Sequence, residues 1–290
     1  MRVGTRGSAL ALAQASWVAQ RLGAEAELVT ITTSGDRGAV LEDKSRWVAE
    51  LERALLDDRI DVAVHSAKDV PAELADGLEL VAIPERADPR DAICGARSIY
   101  ALPPGARVGT SSLRRAAQIR AARADVEVVT VRGNVDTRLR KLAAGEFDAL
   151  VLALAGLERL GREAEAGGVI DGFVPAAGQG ALALEARPGA LPTEILERVI
   201  DREAMACVSA ERDLTRALLA SCHTPVGAHA RRGGEDQLEL TAWVGLPDGS
   251  AWLLDRASAA PDQVGDVVAQ RMLAAGARDL LARAERSLIG

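Results

Sequence analysis

An aspartate and a lysine stand side by side in Asp61–Pro71, which reads D-V-A-V-H-S-A-K-D-V-P. Val62, Ala63 and Val64 form a short apolar run with no turn residue, as a buried parallel strand does. His65, Ser66, Lys68 and Asp69 follow at once, and Pro71 closes the stretch. Ligands of open α/β sheets sit beyond the carboxyl ends of the strands, so these groups are placed for chemistry. A carboxylate there can hold a developing cation, or shuttle a proton if its pKa is raised. The alternative is a solvated loop with both charges in water, where most charged residues lie.

Arginines form a second set. Residues 107–141 hold nine basic groups against three acids, a local balance of +6 in a chain whose net charge is −7. A basic island in an acidic protein calls for an anionic ligand. The island has no aromatic residue, which disfavours single-stranded nucleic acid and leaves a small polyanion. Arg114 and Arg115 follow T-S-S-L at a helix start, and Arg132 heads R-G-N after a strand. A guanidinium there grips carboxylate in a two-pronged fork. Arg120, Arg123, Arg140 and Lys141 read instead as a solvated helix face.

The third candidate is Cys222 in S-C-H-T-P-V-G. Small polar neighbours and the Pro225–Gly227 turn make it an accessible thiol, whereas Cys94 and Cys207 lie in apolar patterns and read as inert core. Its neighbour His223 is a conceivable base, but adjacent side chains rarely face each other, so the spacing leaves reactive and unreactive readings open. Three scattered cysteines argue against a disulfide framework and a structural zinc site, and no metal is expected.

Elements must position these groups. At 290 residues with 48% hydrophobic and 27% charged content, the chain fits a globular protein of two or three domains. Its opening, M-R-V-G-T-R-G-S, has no apolar signal core, and no stretch approaches a membrane span, so a cytoplasmic protein is expected. The periodicity predicts strand Arg2–Thr5, helix Ala9–Leu22 capped by Ser8, strand Leu28–Thr33, helix Trp47–Asp57 and strand Leu78–Ile83. A second unit follows, with strand Arg107–Gly109, helix Leu113–Ala122, strand Val126–Val131, helix Val135–Ala144 and strand Ala149–Leu154. Alternation of this kind means βαβ units and a parallel sheet. R-V-G-T occurs at Arg2–Thr5 and again at Arg107–Thr110, each time before a helix containing Ala-Gln. That repeat points to a duplicated half, with exposed helix N-termini facing an anion in both copies. Val174–Leu184 reads as a Gly-rich return into the first sheet, with helical patterning over Thr193–Leu219. Strands Gln237–Val244 and Ala251–Ala257, around a Pro247-Asp248-Gly249 turn, and one helix over Asp262–Ala282 complete a small α+β domain.

Together the motifs resemble the porphobilinogen deaminase, or hydroxymethylbilane synthase, family over essentially the whole chain. The matching pieces are T-R-G-S-A-L-A-L-A-Q at 5–14, H-S-A-K-D-V-P at 65–71, D-P-R-D-A at 88–92 and G-T-S-S-L-R-R at 109–115. R-G-N-V-D-T-R-L at 132–139, L-A-L-A-G-L-E-R-L-G at 152–161, P-A-A-G-Q-G-A-L at 175–182 and C-H-T-P-V-G at 222–227 follow in family order.

The resemblance implies two periplasmic-binding-protein-like (type II) α/β domains, with the site between them, plus a small C-terminal α+β domain. Their expected limits are 1–86 with 180–200, 87–179, and 201–290. It implies a dipyrromethane cofactor joined by a thioether to Cys222, onto which four porphobilinogen units are condensed with release of ammonia. The catalytic aspartate falls on Asp69. Carboxylate-binding roles fall on Arg6, Ser8, Lys68, Arg114, Arg115, Arg132, Arg138 and Arg159, and further binding positions on Lys44, Ser66, Thr110, Ser111, Ser112, Gly133, Asn134 and Gln179. The expected partner is porphobilinogen, with no nucleic acid or membrane, and the expected state a monomer. Two departures stand out. The flexible loop is short and reads L-E-D-K-S-R-W, with Lys44 and Trp47 at the equivalents of the family's Lys and Phe, and Ala220-Ser221 replaces a Gly-Gly before the cysteine.

Overall fold

The computed structural model describes residues 1–23, 25–31, 44–220 and 224–289, without the side chains of 44–47, 288 and 289. The chain divides into two compact units, Met1–Ala87 with Gly180–Val208, and Asp88–Gln179 with Ser209–Gly290.

In the first unit, β1 (Arg2–Arg6) lies parallel to β2 (Glu27–Ile31) and β3 (Val62–Ser66). β10 (Leu182–Ala186) enters between β3 and β4 (Glu79–Ala82), antiparallel to both, so the sheet order is β2-β1-β3-β10-β4. α1 (Ala9–Leu22) starts at Ser8, whose hydroxyl accepts the Ala11 N–H at 3.3 Å. It buries Ala15, Val18 and Leu22 against Val3, Val62 and Val64. α2 (Lys44–Leu56) covers the other face with Leu51, Ala54 and Leu55 against Ile60 and Ala63. Strand alternation thus puts Val62 and Val64 under α1, and Ala63 and His65 on the α2 side. α6 (Thr193–Leu196) and the first half of α7 (Arg202–Ala217) complete the unit.

The second unit repeats the plan. β6 (Arg107–Gly109) lies parallel to β7 (Glu127–Val129) and β8 (Ala149–Ala153), and β5 (Asp91–Cys94) runs antiparallel between β8 and β9 (Gly168–Ile170). The order is β7-β6-β8-β5-β9. Helices α3 (Leu113–Ala122), α4 (Val135–Ala143) and α5 (Leu154–Arg159) follow β6, β7 and β8. The three-stranded antiparallel sheet β11 (Val226–Arg232), β12 (Leu238–Gly245) and β13 (Trp252–Ala259) packs with α8 (Val264–Ala274) and α9 (Ala277–Ile289). It is the expected small C-terminal α+β domain. Trp243 packs on Ala117 and Val174, and Glu211 of α7 accepts the Gly178 and Ala230 N–H groups at 2.6 and 2.7 Å.

The R-V-G-T repeat has a structural cause. Val3 and Val108 are wholly buried, and a Cβ on Gly4 or Gly109 would strike Ile60 or Leu150. Arg2 donates its N–H to Asp61, just before β3, as Arg107 does to Asp148, just before β8, both at 2.6 Å.

Several expectations need correction. The α/β sheets are mixed rather than parallel, because β10 and β5 enter antiparallel. The helix expected over Asp262–Ala282 is two, α8 and α9, broken at Gly276, whose φ of +99° favours glycine. Arg120 and Arg123 are not on a solvated face. Arg120 donates to the Pro247 and Val128 carbonyls, and Arg123 to those of Ile99 and Leu102.

Candidate functional site

At the carboxyl end of β3 the chain turns at Ser66 into a single 3-10 turn, Ala67–Asp69. The Ala67 N–H reaches the Ala181 carbonyl at 3.0 Å, which ties the turn to the return segment. Gln14, buried in α1, donates to Ser66 Oγ at 2.9 Å and accepts from it at 3.3 Å. Arg6, Ser8, Gln14, His65, Ser66 and Asp69 line one cleft. Lys68 and Asp69 are half-buried in that turn. The structure therefore brings together Arg6, Ser8, Ser66 and Asp69, four expected site residues drawn from two sequence stretches.

In the second unit Thr110 and Ser112 shape the start of α3. Thr110 Oγ1 accepts the Ser112 N–H at 3.2 Å, and Ser112 Oγ accepts that of Arg115 at 3.4 Å. Arg114 and Arg115 turn inward from α3 and converge on Asp91. Asp91 accepts from Arg114 Nη2 at 2.8 Å, Arg115 Nε at 2.9 Å and Gln179 Nε2 at 2.8 Å. Burial pushes the Asp91 carboxyl up, but the two guanidinium charges and the Gln179 hydrogen bond outweigh it and hold it well below the usual carboxylate range. Two cations against one anion leave a buried surplus of positive charge. Asp91 was missed as a site residue, although D-P-R-D-A contains it.

Beyond β7, Arg132, Gly133 and Asn134 are exposed at the start of α4. Asn134 Oδ1 caps the helix through the Thr137 N–H at 2.9 Å. Gly133 has φ +112°, and a Cβ there would strike Thr137. Arg138 donates Nε to the Gly133 carbonyl at 2.7 Å, which orients the turn below Arg132. At the end of α5, burial pushes the Arg159 guanidinium down to about 10, with Glu158 opposing it. A cation so desolvated gains from an incoming anion. Cys94 and Cys207 are buried, and burial pushes the Cys94 thiol up to about 11. Cys222, the Ala220-Ser221 departure at its second residue, and the loop through Asp43 lie outside the described residues, as do the side chains of Lys44 and Trp47.

The geometry defines a duplicated α/β protein whose strand ends present guanidinium groups in one unit and a cleft carboxylate in the other. Residues 1–219 match the family model "Porphobilinogen deaminase, dipyromethane cofactor binding domain", and residues 205–274 match "Porphobilinogen deaminase, C-terminal domain". A porphobilinogen deaminase from Brevibacillus brevis is 44% identical, over 98% of this chain and 97% of that protein. One from Sorangium cellulosum is 50% identical, over 86% and 88% of the two chains. Among solved structures, a periplasmic substrate-binding protein of an ABC transporter from Coxiella burnetii shows a distant likeness. Its TM-score is 0.44 at 10% identity, over 73% of this chain and 96% of that one. The chain belongs to the porphobilinogen deaminase family, and its matched domain is that family's dipyrromethane cofactor binding domain.

Proposed function

We propose that the chain is a transferase of tetrapyrrole synthesis that joins four porphobilinogen molecules head to tail, releasing ammonia and linear hydroxymethylbilane. The observation that carries this reading is Asp69, presented on its 3-10 turn in one cleft with Arg6 and Ser8, in a chain of this family. The dipyrromethane group, held by a thioether to Cys222, supplies the pyrrole end to which each new unit is joined. The residues present fit such a carboxylate-bearing group, since Asp91 leaves a surplus guanidinium charge and Arg159 is desolvated beyond what Glu158 offsets.

Each ring brings an acetate and a propionate, which need cationic or N–H partners. Arg132 and Arg159, with Arg6, Ser8 and Lys68, are the groups for this role, and Thr110, Ser111, Gly133 and Asn134 shape the turns beside them. Arg114 and Arg115 act from beneath, braced on Asp91 and Gln179. Loss of ammonia from the substrate's aminomethyl group leaves it electron-poor, and joining it to the pyrrole end would build positive charge until the displaced ring proton leaves. Asp69, ionised, is the group in the cleft that would stabilise that positive charge and could accept the proton, a fixed charge where charge develops. Three domains with limits at 1–86 with 180–200, 87–179 and 201–290 fit this reading, as does a cytoplasmic monomer. Among the described residues, no helix is long and apolar enough to cross a membrane.

Intact mass spectrometry tests the proposal. Purified chain should weigh one dipyrromethane adduct more than its 30.4 kDa polypeptide, and Cys222→Ser should remove the excess together with turnover. Active enzyme at the unmodified mass would sink the assignment.

A further inference from the structure

The duplication exposes a difference between the halves. In the first unit β1 pairs Gly4 with Ala63, and in the second β6 pairs Gly109 with Leu150. That register makes His65 of β3 the counterpart of Leu152 of β8. The antiparallel strands extend the match, for Glu185 lies opposite Ala63 as Cys94 lies opposite Leu150. The second unit thus fills the two places with Leu152 and Cys94, both in one apolar core cluster. The first unit fills them with an imidazole and a carboxylate. Their side chains are 4% and 0% exposed, with His65 Nε2 2.8 Å from Glu185 Oε2. The two atoms face each other without a hydrogen bond, and neither Glu185 oxygen has a hydrogen-bond partner among the described residues.

The architecture does not require this pair, since its own copy does without it, and a buried ion pair commonly stabilises no better than apolar side chains of similar size. It sits in the half that carries Asp69, and His65 lines the same cleft as Asp69. We propose that His65, kept charged by Glu185, is a positioning residue that holds Asp69 in its ionised form. This rests on the catalytic reading of Asp69. Arg6 from β1 and Asp69 from the turn share the cleft with the imidazole, Glu185 from β10 lies against it, Glu52 from α2 is electrostatically coupled to both, and Lys68 belongs to the same turn as Asp69. Burial raises the Glu52 carboxyl and the charge of Glu185 adds to the rise, so Glu52 competes weakly for the imidazolium.

The test has two arms. With three histidines in the chain, the ring nitrogens of His65 can be assigned by NMR in the intact holoenzyme, with His65→Gln as reference. Their shifts at pH 7.5 should read an imidazolium, and Asp69→Asn should lower the pH at which it deprotonates by roughly half a unit or more, the scale of one charge pair in a half-buried site. A neutral imidazole, or a midpoint indifferent to Asp69→Asn, overturns the proposal, whatever Asp69 does in catalysis. The second arm transplants the other half's solution as His65→Leu with Glu185→Cys. The variant removes both charges of the pair, but the imidazole lines the cleft with Asp69 and Glu185 is not among the cleft's described lining residues, so the nearer positive charge dominates and the acid limb of turnover should move to higher pH, by less than the shift in the NMR arm. An unmoved limb in a folded, normally loaded variant overturns the proposal too, and if the variant does not fold, the NMR arm decides.

Discussion

Asp91 lies at 1% exposure among Arg114, Arg115 and Gln179, while Asp69 is half-buried on a turn at a cleft. The two environments predict opposite responses to the same near-isosteric change. Asp91→Asn leaves two buried guanidiniums without their counter-charge and should cost roughly 3–5 kcal/mol, read from the urea unfolding midpoint. Asp69→Asn should leave that midpoint almost unchanged and lower turnover by about 10²-fold or more, the scale of one lost electrostatic or acid–base group. A destabilised Asp69→Asn protein with normal turnover per folded molecule would reverse the assignment. Asp69 could be singled out in sequence because a strand, a polar turn and a proline surround it within a dozen residues, and the H-S-A-K-D-V-P motif then gave it a role to test. Asp91 could not, because its partners lie 23, 24 and 88 positions away and only folding reveals them. For the same reason Arg114 and Arg115 read as open binding groups and are found braced on a carboxylate.

At the scale of elements, the capped helices α1 and α3 were read more sharply than the short strands or than the helical runs Thr193–Leu219 and Asp262–Ala282, each of which is broken. The limits of α1 and α3 follow from Ser8 and Ser112 as caps and from apolar spacing over ten or more residues. β5, β9 and β11 went unpredicted: β9 has three residues and β5 four, and the Gly227 and the two arginines of β11 blur its alternation. Nothing local says that β10 and β5 run antiparallel, since direction depends on where the chain re-enters each sheet. Arg123 shows how an element end can mislead. As the C-cap of α3 it holds the Ile99 and Leu102 carbonyls at 2.7 and 3.0 Å, with Asp125 on its outer edge. Arg123→Ala should therefore cost about 1–2 kcal/mol through two carbonyls left unsatisfied, while Arg140→Ala, exposed and bonded only to Thr137 among the contacts described, should stay within about 0.5 kcal/mol. Equal midpoints for the two variants in urea would restore the solvent-face reading of Arg123.

At the scale of the whole molecule, ionisable groups in the two units shape stability against pH in opposing directions. Asp61 is held below the usual carboxylate range first by its hydrogen bond from Arg2, Asp88 first by that from Arg90, and Asp91 by its guanidinium pair against burial. Their folded values lie below the unfolded value of about 4, so the stability they contribute is complete above it and drains as pH falls through the folded values. Glu52 runs the other way, because burial raises its carboxyl above the unfolded value of about 4.3. The folded state then favours the protonated form, and stability is lost as pH climbs from that unfolded value through the folded one. Glu52→Gln keeps an oxygen to accept the Ala75 N–H, bonded at 3.1 Å in the wild type, and removes the charge. Urea midpoints should place the variant above wild type at pH 7, with the gap closing toward pH 4 as wild-type Glu52 takes up its proton. A gap that stays constant across that range would mean that shape, not buried charge, separates the two proteins, and a variant less stable at pH 7 would mean that the carboxylate is worth more to its neighbours than its burial costs.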